Sequence, residues 1–182
     1  MEKTWIDEVD FKKLSCPDLQ GFGCCYTVKE LVDEGKMAKI PKKNGVYLIL
    51  APDAEKPEFT EDVKAVFFNE NGVEPKSKTV LDGQWIDGTR VLYIGKAGVL
   101  HGKGASNLRT RLRAYMRWYK GAKNSHHGGR DIWQIKEPEK LLVTWRVTEN
   151  EDPRQCEEKL LARFKATCGQ PDKPFPFANH QS

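Results

Sequence analysis

The sequence lacks the features of several special classes of protein. No apolar run approaches the length that spans a membrane, and the N-terminus is acidic from its second residue, unlike a signal peptide. Neither an internal repeat nor a low-complexity segment is present. A length of 182 residues suits one domain with a real core. We therefore expect a single folded unit without a membrane partner.

The cysteines are poorly spaced for a structural role. The chain has five cysteines, an odd number, and no CxxC pair: Cys16, Cys24, Cys25, Cys156 and Cys168. This pattern favours neither a disulfide framework nor a zinc site. We expect reduced thiols in a cytoplasmic protein.

Acidic residues are absent from one long stretch of the chain. From Val91 through Arg130 there are nine Lys/Arg and no Asp/Glu. The other 142 residues carry 21 basic and 26 acidic side chains, so the net charge of +4 conceals a strongly basic segment. Such asymmetry is typical of a protein that binds a polyanion, and nucleic acid is the expected partner.

A helix rich in arginine is predicted inside this basic segment. At about 100° per residue, one stripe is apolar and predicts the face that packs on a core: Leu108, Leu112, Tyr115, Met116 and Tyr119. Arg111 lies on the margin of that stripe beside Tyr115. A guanidinium held there is placed to grip one phosphate with two hydrogen bonds.

The remaining basic residues of the segment have two interpretations. Arg109, Arg113, Arg117 and Lys120 lie on the far side of the helix, where a solvated surface is the simpler explanation and contact with nucleic acid the alternative. Lys103, Lys123 and Arg130, in the flanking loops, complete the set of candidate nucleic-acid contacts.

Two short apolar runs, each with a tyrosine inside it, predict neighbouring strands. In VYLIL and the glycine before it, Gly45 and Tyr47 share one face, and in VLYIGKA, Tyr93 and Gly95 share one face. If the two strands pair antiparallel, Tyr47 and Tyr93 stand side by side. Either tyrosine alone would indicate no more than a half-buried aromatic side chain.

Other segments complete the predicted architecture. Thr27 and Glu30 have the spacing of a capping box, which predicts a short helix near the N-terminus. A third strand is predicted over Leu141 to Val147. Between the two tyrosine strands, residues 51–90 contain short runs such as VKAVFF and TVL separated by turn residues, and they predict a hairpin-like insertion.

The last predicted helix carries an unusual carboxylate. Asp152 and Pro153 form its start, and Gly169 its end. Glu157 falls on the same face as the apolar residues Leu160 and Phe164. A carboxylate turned toward a core needs a compensating cation. That cation is either a basic side chain in an ion pair or a hard divalent ion, and the spacing favours neither.

Five motifs together resemble the GIY-YIG nuclease family. They are GVY at 45–47, YIGKA at 93–97, NLRTRLRAY at 107–115, EEKLLARF at 157–164 and PFAN at 176–179. The resemblance covers most of residues 44–179 in the order of the family. It implies an α/β fold with a small three-stranded antiparallel sheet flanked by helices, and hydrolysis of DNA phosphodiesters with one divalent metal.

The resemblance also implies roles for individual side chains. Tyr47 matches the tyrosine that helps to activate the attacking water, and it could act as a base only if nearby positive charge lowered its pKa. Tyr93 matches the tyrosine that orients the water and the phosphate. Lys96 matches a lysine near the nucleophile, Arg111 the arginine that steadies the scissile phosphate, and Tyr115 the polar residue one turn further on.

The C-terminal motifs add the metal ligand. Glu157 matches the sole carboxylate that binds the metal, Mg²⁺ or Mn²⁺, and Asn179 matches an asparagine that supports the site. The sequence departs from compact members of the family in having insertions at 51–90 and 98–106. We therefore divide the chain into an N-terminal elaboration packed on the core, residues 1–43, and a nuclease-like domain, residues 44–182.

The expected function is that of a metal-dependent endonuclease acting on DNA, with double-stranded DNA as the expected substrate. Targeting by the insertions fits a restriction-type or defence nuclease better than a module of a larger repair enzyme. The alternatives are a non-catalytic nucleic-acid-binding module on the same fold and an RNA-directed or repair nuclease. An inward-facing carboxylate beside a phosphate site favours catalysis, because binding alone does not need it.

Overall fold

An antiparallel sheet forms the centre of a mixed α/β structure. The computed structural model describes residues 3–12, 21–62, 74–99, 106–120 and 129–179. The strands are β1 (Tyr26–Thr27), β2 (Gly45–Leu50), β3 (Val91–Ala97) and β4 (Leu142–Val147), in the spatial order β1-β4-β2-β3. The three predicted strands are present as β4-β2-β3. The N-terminal region adds β1 beside β4, which the prediction of a three-stranded sheet did not include.

Four α-helices lie in the described part of the chain: α1 (Val28–Val32), α2 (Lys78–Gln84), α3 (Leu108–Met116) and α4 (Pro153–Thr167). Each begins after a residue whose side chain accepts a backbone N–H: Thr27, Ser77, Asn107 and Asp152. The described residues also form short 3₁₀ helices at Trp5–Glu8, Lys36–Lys39, Arg117–Lys120, Arg130–Gln134 and Pro138–Lys140. Within the described ranges, no helix is both long and apolar enough to cross a membrane.

The two faces of the sheet belong to two separate hydrophobic clusters. Tyr47 and Ile49 on β2 pack with Leu112 of α3, whereas Leu48, one residue along, packs with Leu160 of α4. The alternation predicted for β2 is therefore confirmed. As a result, α3 and α4 cover opposite faces of the sheet, and β3 is an outer strand at which side chains from both layers can meet.

The N-terminal residues also belong to the core. Val9 and Phe11 are fully buried in the cluster beneath α4. The rings of Phe11 and Phe164 lie 5.4 Å apart edge to face, and Arg163 donates a hydrogen bond to the carbonyl of Val9 at 2.7 Å. Residues 3–12 of the N-terminal elaboration are thus held against α4, whereas Val28, Leu31 and Ile40 belong to the cluster on the other face of the sheet.

The prediction of short strands after residue 74 is wrong. Residues Lys78–Gln84, which include the TVL run, form α2. The cause is local capping: Ser77 accepts a hydrogen bond from the N–H of Val80, and Lys78 pairs with Asp82 one turn on at 2.9 Å. The VKAVFF run lies outside the described residues, and so do most of residues 98–106.

The expectation of reduced cysteines holds in part. Cys24, Cys156 and Cys168 are free thiols. Cys25 is disulfide-bonded, which corrects the expectation at that position.

Candidate functional site

The two motif tyrosines meet across a glycine. In the antiparallel register, Tyr47 lies opposite Gly95, and the centroids of the Tyr47 and Tyr93 rings are 6.0 Å apart. The prediction that the tyrosines share a face is confirmed. A Cβ atom at Gly95 would lie 2.5 Å from Cζ of Tyr47 and 2.8 Å from Cε1 of Tyr93. The absence of a side chain at this position is therefore what allows the two rings to approach.

Tyr115 completes a group of three tyrosines. Its ring stacks on that of Tyr93 with centroids 5.7 Å apart and an angle of 17° between the planes. Its hydroxyl donates to the carbonyl of Gly129 at 2.8 Å. Gly129 has a φ of +70°, and a Cβ atom there would lie 2.6 Å from that hydroxyl. The backbone at Gly129 thus closes over both Tyr93 and Tyr115, a contact that sequence reasoning missed, since a glycine pair indicates only a turn.

Arg111 and Glu157 approach this group from the two helical layers. Glu157 lies in the first half of α4, and its side chain is 20% exposed. Its Oε2 atom is 3.9 Å from Nζ of Lys96, which extends from β3. The carboxylate accepts no hydrogen bond from any residue in the described part of the chain. In the same part, Nε of the half-buried Arg111 is a buried donor without a partner. Both groups therefore keep unused capacity to bind a ligand.

The electrostatics of these groups are coupled. Burial raises the pKa of Glu157 above its ordinary value of 4.5, while the positive charges of Lys96 and Arg111 oppose the shift. The carboxylate is thus ionised at a cost, which a further cation would relieve. The sequence leaves two candidates for the positive charge that compensates Glu157, a basic side chain and a divalent cation. The Lys96 contact supplies an ion pair, although 3.9 Å is too long for a hydrogen bond.

Burial dominates the titration of the tyrosines. Tyr47 is fully buried, and burial raises its pKa well above 10, although the charge of Arg111 and a hydrogen bond with it oppose the rise. Burial raises the pKa of Tyr93 to about 12. The charges of the chain itself therefore do not meet the condition for Tyr47 to act as a base.

Asn179 contacts the strand rather than the tyrosines. Its Oδ1 accepts from the N–H of Ile94 and its Nδ2 donates to the carbonyl of Ile94, each at 2.8 Å. The N–H of Ala178 donates to the carbonyl of Leu92 at 2.8 Å. The C-terminal segment therefore pairs with the open edge of β3 and supports the backbone on both sides of Tyr93.

The basic residues on the far side of α3 face away from Arg111. Arg109 is not a free surface group, because it donates to the carbonyls of Ile40 and Ala38 at 2.6 and 2.8 Å. Arg113 and Arg117 are exposed, and with Lys120 they line a groove of about 290 Å³ floored by Leu31, Val32, Met37 and Met116. Lys120 is also paired with Asp33. Arg113 is about 200° around the helix from Arg111.

The other candidate nucleic-acid contacts divide into two groups. Arg130 is half-buried and directly follows Gly129, whose backbone lies against Tyr93 and Tyr115. Lys103 and Lys123 lie outside the described residues.

A single hard cation fits this donor set. Mg²⁺ commonly keeps several waters and takes one or two carboxylates from the protein. The half-buried Glu157, without a hydrogen-bond donor among the described residues, suits that role. The described residues contain no group of three His, Cys, Asp or Glu that could hold a metal.

Comparisons of the chain with models of protein families, with curated proteins and with solved structures found no match. The function of this site is therefore inferred from its own residues and their chemistry.

Proposed function

We propose that this protein is a metal-dependent endonuclease of the GIY-YIG type, which hydrolyses phosphodiester bonds of double-stranded DNA with one Mg²⁺ or Mn²⁺ ion. The observation that carries the proposal is the convergence of Glu157 and Arg111 on the tyrosine pair. The charge of Arg111 acts on the pKa of Glu157, Tyr47 and Tyr93 alike. One acidic and one basic group from opposite layers thus act on the same two hydroxyls, and Lys96, 3.9 Å from Glu157, directly follows Gly95 in β3.

Positive charge for the scissile phosphate comes from two side chains. The Nε donor of Arg111, which has no partner among the described residues, can form a two-point contact with phosphate oxygens together with the rest of the guanidinium. Lys96, exposed by about a third, adds a second cation on the α4 side of the sheet. Both charges stabilise the extra negative charge that develops on the phosphoryl oxygens during hydrolysis.

Glu157 would hold the divalent cation. When bound, that ion acts as a Lewis acid toward the phosphoryl oxygens and the leaving alkoxide. Since Glu157 is the carboxylate that would bind the cation, Arg111 and Lys96 stabilise the rest of the negative charge on the phosphate. This division explains why one acidic group suffices.

The tyrosines act as hydrogen-bonding groups in this proposal. Because burial raises the pKa of Tyr47 well above 10 and that of Tyr93 to about 12, both hydroxyls keep their protons at neutral pH. Tyr93, which is 7% exposed, orients the water and the phosphate. Tyr47 is completely buried, and Arg111 lies close enough to it to oppose the rise of its pKa.

A restriction-type or defence role is part of the proposal. The insertions at 51–90 and 98–106 flank the strands that carry Tyr47 and Tyr93, and we assign the choice of target to them. Of the candidate nucleic-acid contacts that the structure describes, Arg130 is the one that we expect to bind DNA near the site, because Arg113 and Arg117 lie on the other side of α3.

The test is cleavage of supercoiled plasmid with Mg²⁺ or Mn²⁺, compared with chelated protein and with RNA substrates. Arg111→Lys keeps the charge but removes the fork geometry, and it is expected to lower the single-turnover rate by about 10²-fold. Arg113→Lys, an exposed change on the same helix, is the matched control and should cleave normally. Binding of DNA without cutting under both metals would instead support a binding module, and metal-independent cutting would contradict the proposed chemistry.

The acid limb of the pH profile is expected to lie above 4.5, the ordinary pKa of a glutamate. Burial raises the pKa of Glu157, and only the ionised carboxylate holds a cation, so activity is lost as pH falls through the raised pKa. Tyrosine is expected to cause no alkaline break near 10, because burial raises the pKa of Tyr93 to about 12. The measurement is kcat/KM against pH at subsaturating metal. A break at the ordinary tyrosine pKa would show that a tyrosine ionises after all.

A further inference from the structure

We propose that Gln84 is a positioning residue for Tyr93 and acts as a unit with Lys76 and Asp131. This inference rests on the proposed function for its effect on activity, but its effect on Tyr93 can be measured without cleavage. Lys76 and Gln84 lie in the segment between the tyrosine strands, which the sequence presents as a hairpin-like insertion, and Asp131 lies in the 3₁₀ helix Arg130–Gln134.

Hydrogen bonds link the three side chains to one another. Asp131 is 1% exposed, and its Oδ2 accepts from Nζ of Lys76 at 2.6 Å and from Nε2 of Gln84 at 2.9 Å. Lys76 also donates to Oε1 of Gln84 at 2.7 Å. Each partner therefore fixes the other two. A buried carboxylate is held in place in this way only while its donors remain.

The first connection to Tyr93 runs through the 3₁₀ helix Arg130–Gln134, which contains Asp131 and follows Gly129. Two residues before Asp131, Gly129 lies against the Tyr93 ring, where a Cβ atom would be 3.0 Å from Cδ2. The carbonyl of Gly129 also accepts the hydrogen bond of Tyr115, whose ring stacks on Tyr93. Fixing Asp131 therefore fixes the surface against which the Tyr93 ring rests.

The second connection runs through the C-terminal segment. The same Nε2 atom of Gln84 donates to the carbonyl of Phe177 at 3.0 Å. The next two residues, Ala178 and Asn179, pair with the backbone of Leu92 and Ile94. Because Leu92 and Ile94 flank Tyr93 in β3, this segment sets the position of the Tyr93 backbone.

One amide group thus bridges the two segments that hold Tyr93. One of them contacts the ring and the other supports the strand. Loss of the bridge removes one hydrogen-bond donor from the carbonyl of Phe177 and one from Asp131. The sheet and the helices still connect the fold. We therefore expect displacement of Tyr93 rather than unfolding, and small displacements of a group that orients a reacting phosphate reduce rates strongly.

The first test is Gln84→Met, which keeps the length of the side chain but removes both donors. We expect the single-turnover cleavage rate to fall about 10-fold or more, with the Kd for uncleaved DNA unchanged in the absence of metal. Thr79→Ala, an exposed change on α2, is the matched control and should behave as wild type. An unchanged rate, or a fall in step with lost DNA affinity, would overturn the proposal.

A rescue experiment separates positioning from general damage. Gln84→Glu places two carboxylates together and should cleave more slowly than Gln84→Met. Adding Asp131→Asn to Gln84→Glu exchanges the two groups, so that the amide at 131 donates to the carboxylate at 84 and that carboxylate carries the negative charge beside Lys76. The double variant should recover part of the rate. Failure of the double variant to exceed Gln84→Glu would count against a unit of these three residues.

The direct readout is NMR of the Tyr93 ring and hydrogen exchange at the Ile94 amide in Gln84→Met. We expect a changed ring environment and faster exchange, with wild-type exchange retained in β4. If the wild-type protein cleaves no nucleic acid, the proposed function fails while this readout still decides the positioning role. Unchanged ring shifts and exchange would refute the positioning role whatever the activity.

Discussion

Replacing Glu157 by glutamine is expected to reduce metal-dependent cleavage by about 10³-fold or more, with DNA binding retained. Glutamine has the shape of the glutamate but cannot supply the negative charge that a divalent cation needs. Glu157 is the acidic group beside Arg111 and Lys96, and in the described part of the chain Lys96 pairs with no other carboxylate that could replace it. The measurement is single-turnover plasmid nicking across a range of Mg²⁺ and Mn²⁺ concentrations, with Kd measured separately.

The same substitution is expected to make the protein more stable at neutral pH. Because burial raises the pKa of Glu157, its ionised form is less favourable in the folded than in the unfolded protein. An acid with a raised folded-state pKa destabilises the fold above that pKa, and the effect disappears below the unfolded pKa, where both states are protonated. Thermal unfolding without metal at neutral and acidic pH should show the gain only at neutral pH.

The matched control is Glu158→Gln, the next residue on the same helix. Glu158 is exposed and pairs with Arg154 at 3.0 Å on the surface, so neither activity nor stability should change appreciably. Full activity in Glu157→Gln would remove the carboxylate from the proposed mechanism. A loss of DNA affinity equal to the loss of rate would assign Glu157 to binding instead.

Replacing Gly95 by alanine is expected to destabilise the protein by about 1–3 kcal/mol and to abolish most of the cleavage activity. The added methyl group would lie 2.5 Å from Cζ and 2.6 Å from the hydroxyl oxygen of Tyr47. Tyr47 is fully buried, so its ring can move only by displacing Tyr93 or Tyr115, with ring centroids at 6.0 and 6.3 Å. The measurement is urea unfolding together with the single-turnover rate.

Gly83 provides the control for adding a methyl group. It is exposed in α2, and a Cβ atom there would meet nothing within 4 Å. Gly83→Ala should raise stability by about 0.5–1 kcal/mol, since alanine is the better helix former. If Gly95→Ala were as stable and as active as wild type, the close approach of the tyrosine rings over Gly95 would not matter to the site.

Several features of this protein follow from local sequence rules. The period of two in the tyrosine strands correctly places Tyr47 and Tyr93 on one face. The helical period correctly places Glu157 beside the apolar face of α4. Both predictions succeed because the two periods depend only on residues close together in the chain. The capping box at Thr27 and the cap at Asp152 are likewise confirmed.

The sequence prediction is wrong where one local signal outweighs another, and it is silent where distant segments decide. The strand prediction for the TVL run fails because capping at Ser77 favours a helix, which then places Gln84 against Asp131. Helical geometry correctly puts Arg109 on the far side of α3, but only folding brings the carbonyls of Ile40 and Ala38 to its guanidinium. No sequence pattern distinguishes a solvated arginine from one that binds backbone in this way.

By itself, the sequence determined which side chains share a face and where the basic charge is concentrated, since both depend on residues close together in the chain. Only the tertiary structure decided which faces meet. Antiparallel pairing brings Gly95 opposite Tyr47, and the packing of α3 and α4 on opposite faces brings Arg111 and Glu157 within electrostatic reach. Burial, a property of the whole fold, then sets the protonation of the tyrosines and of Glu157.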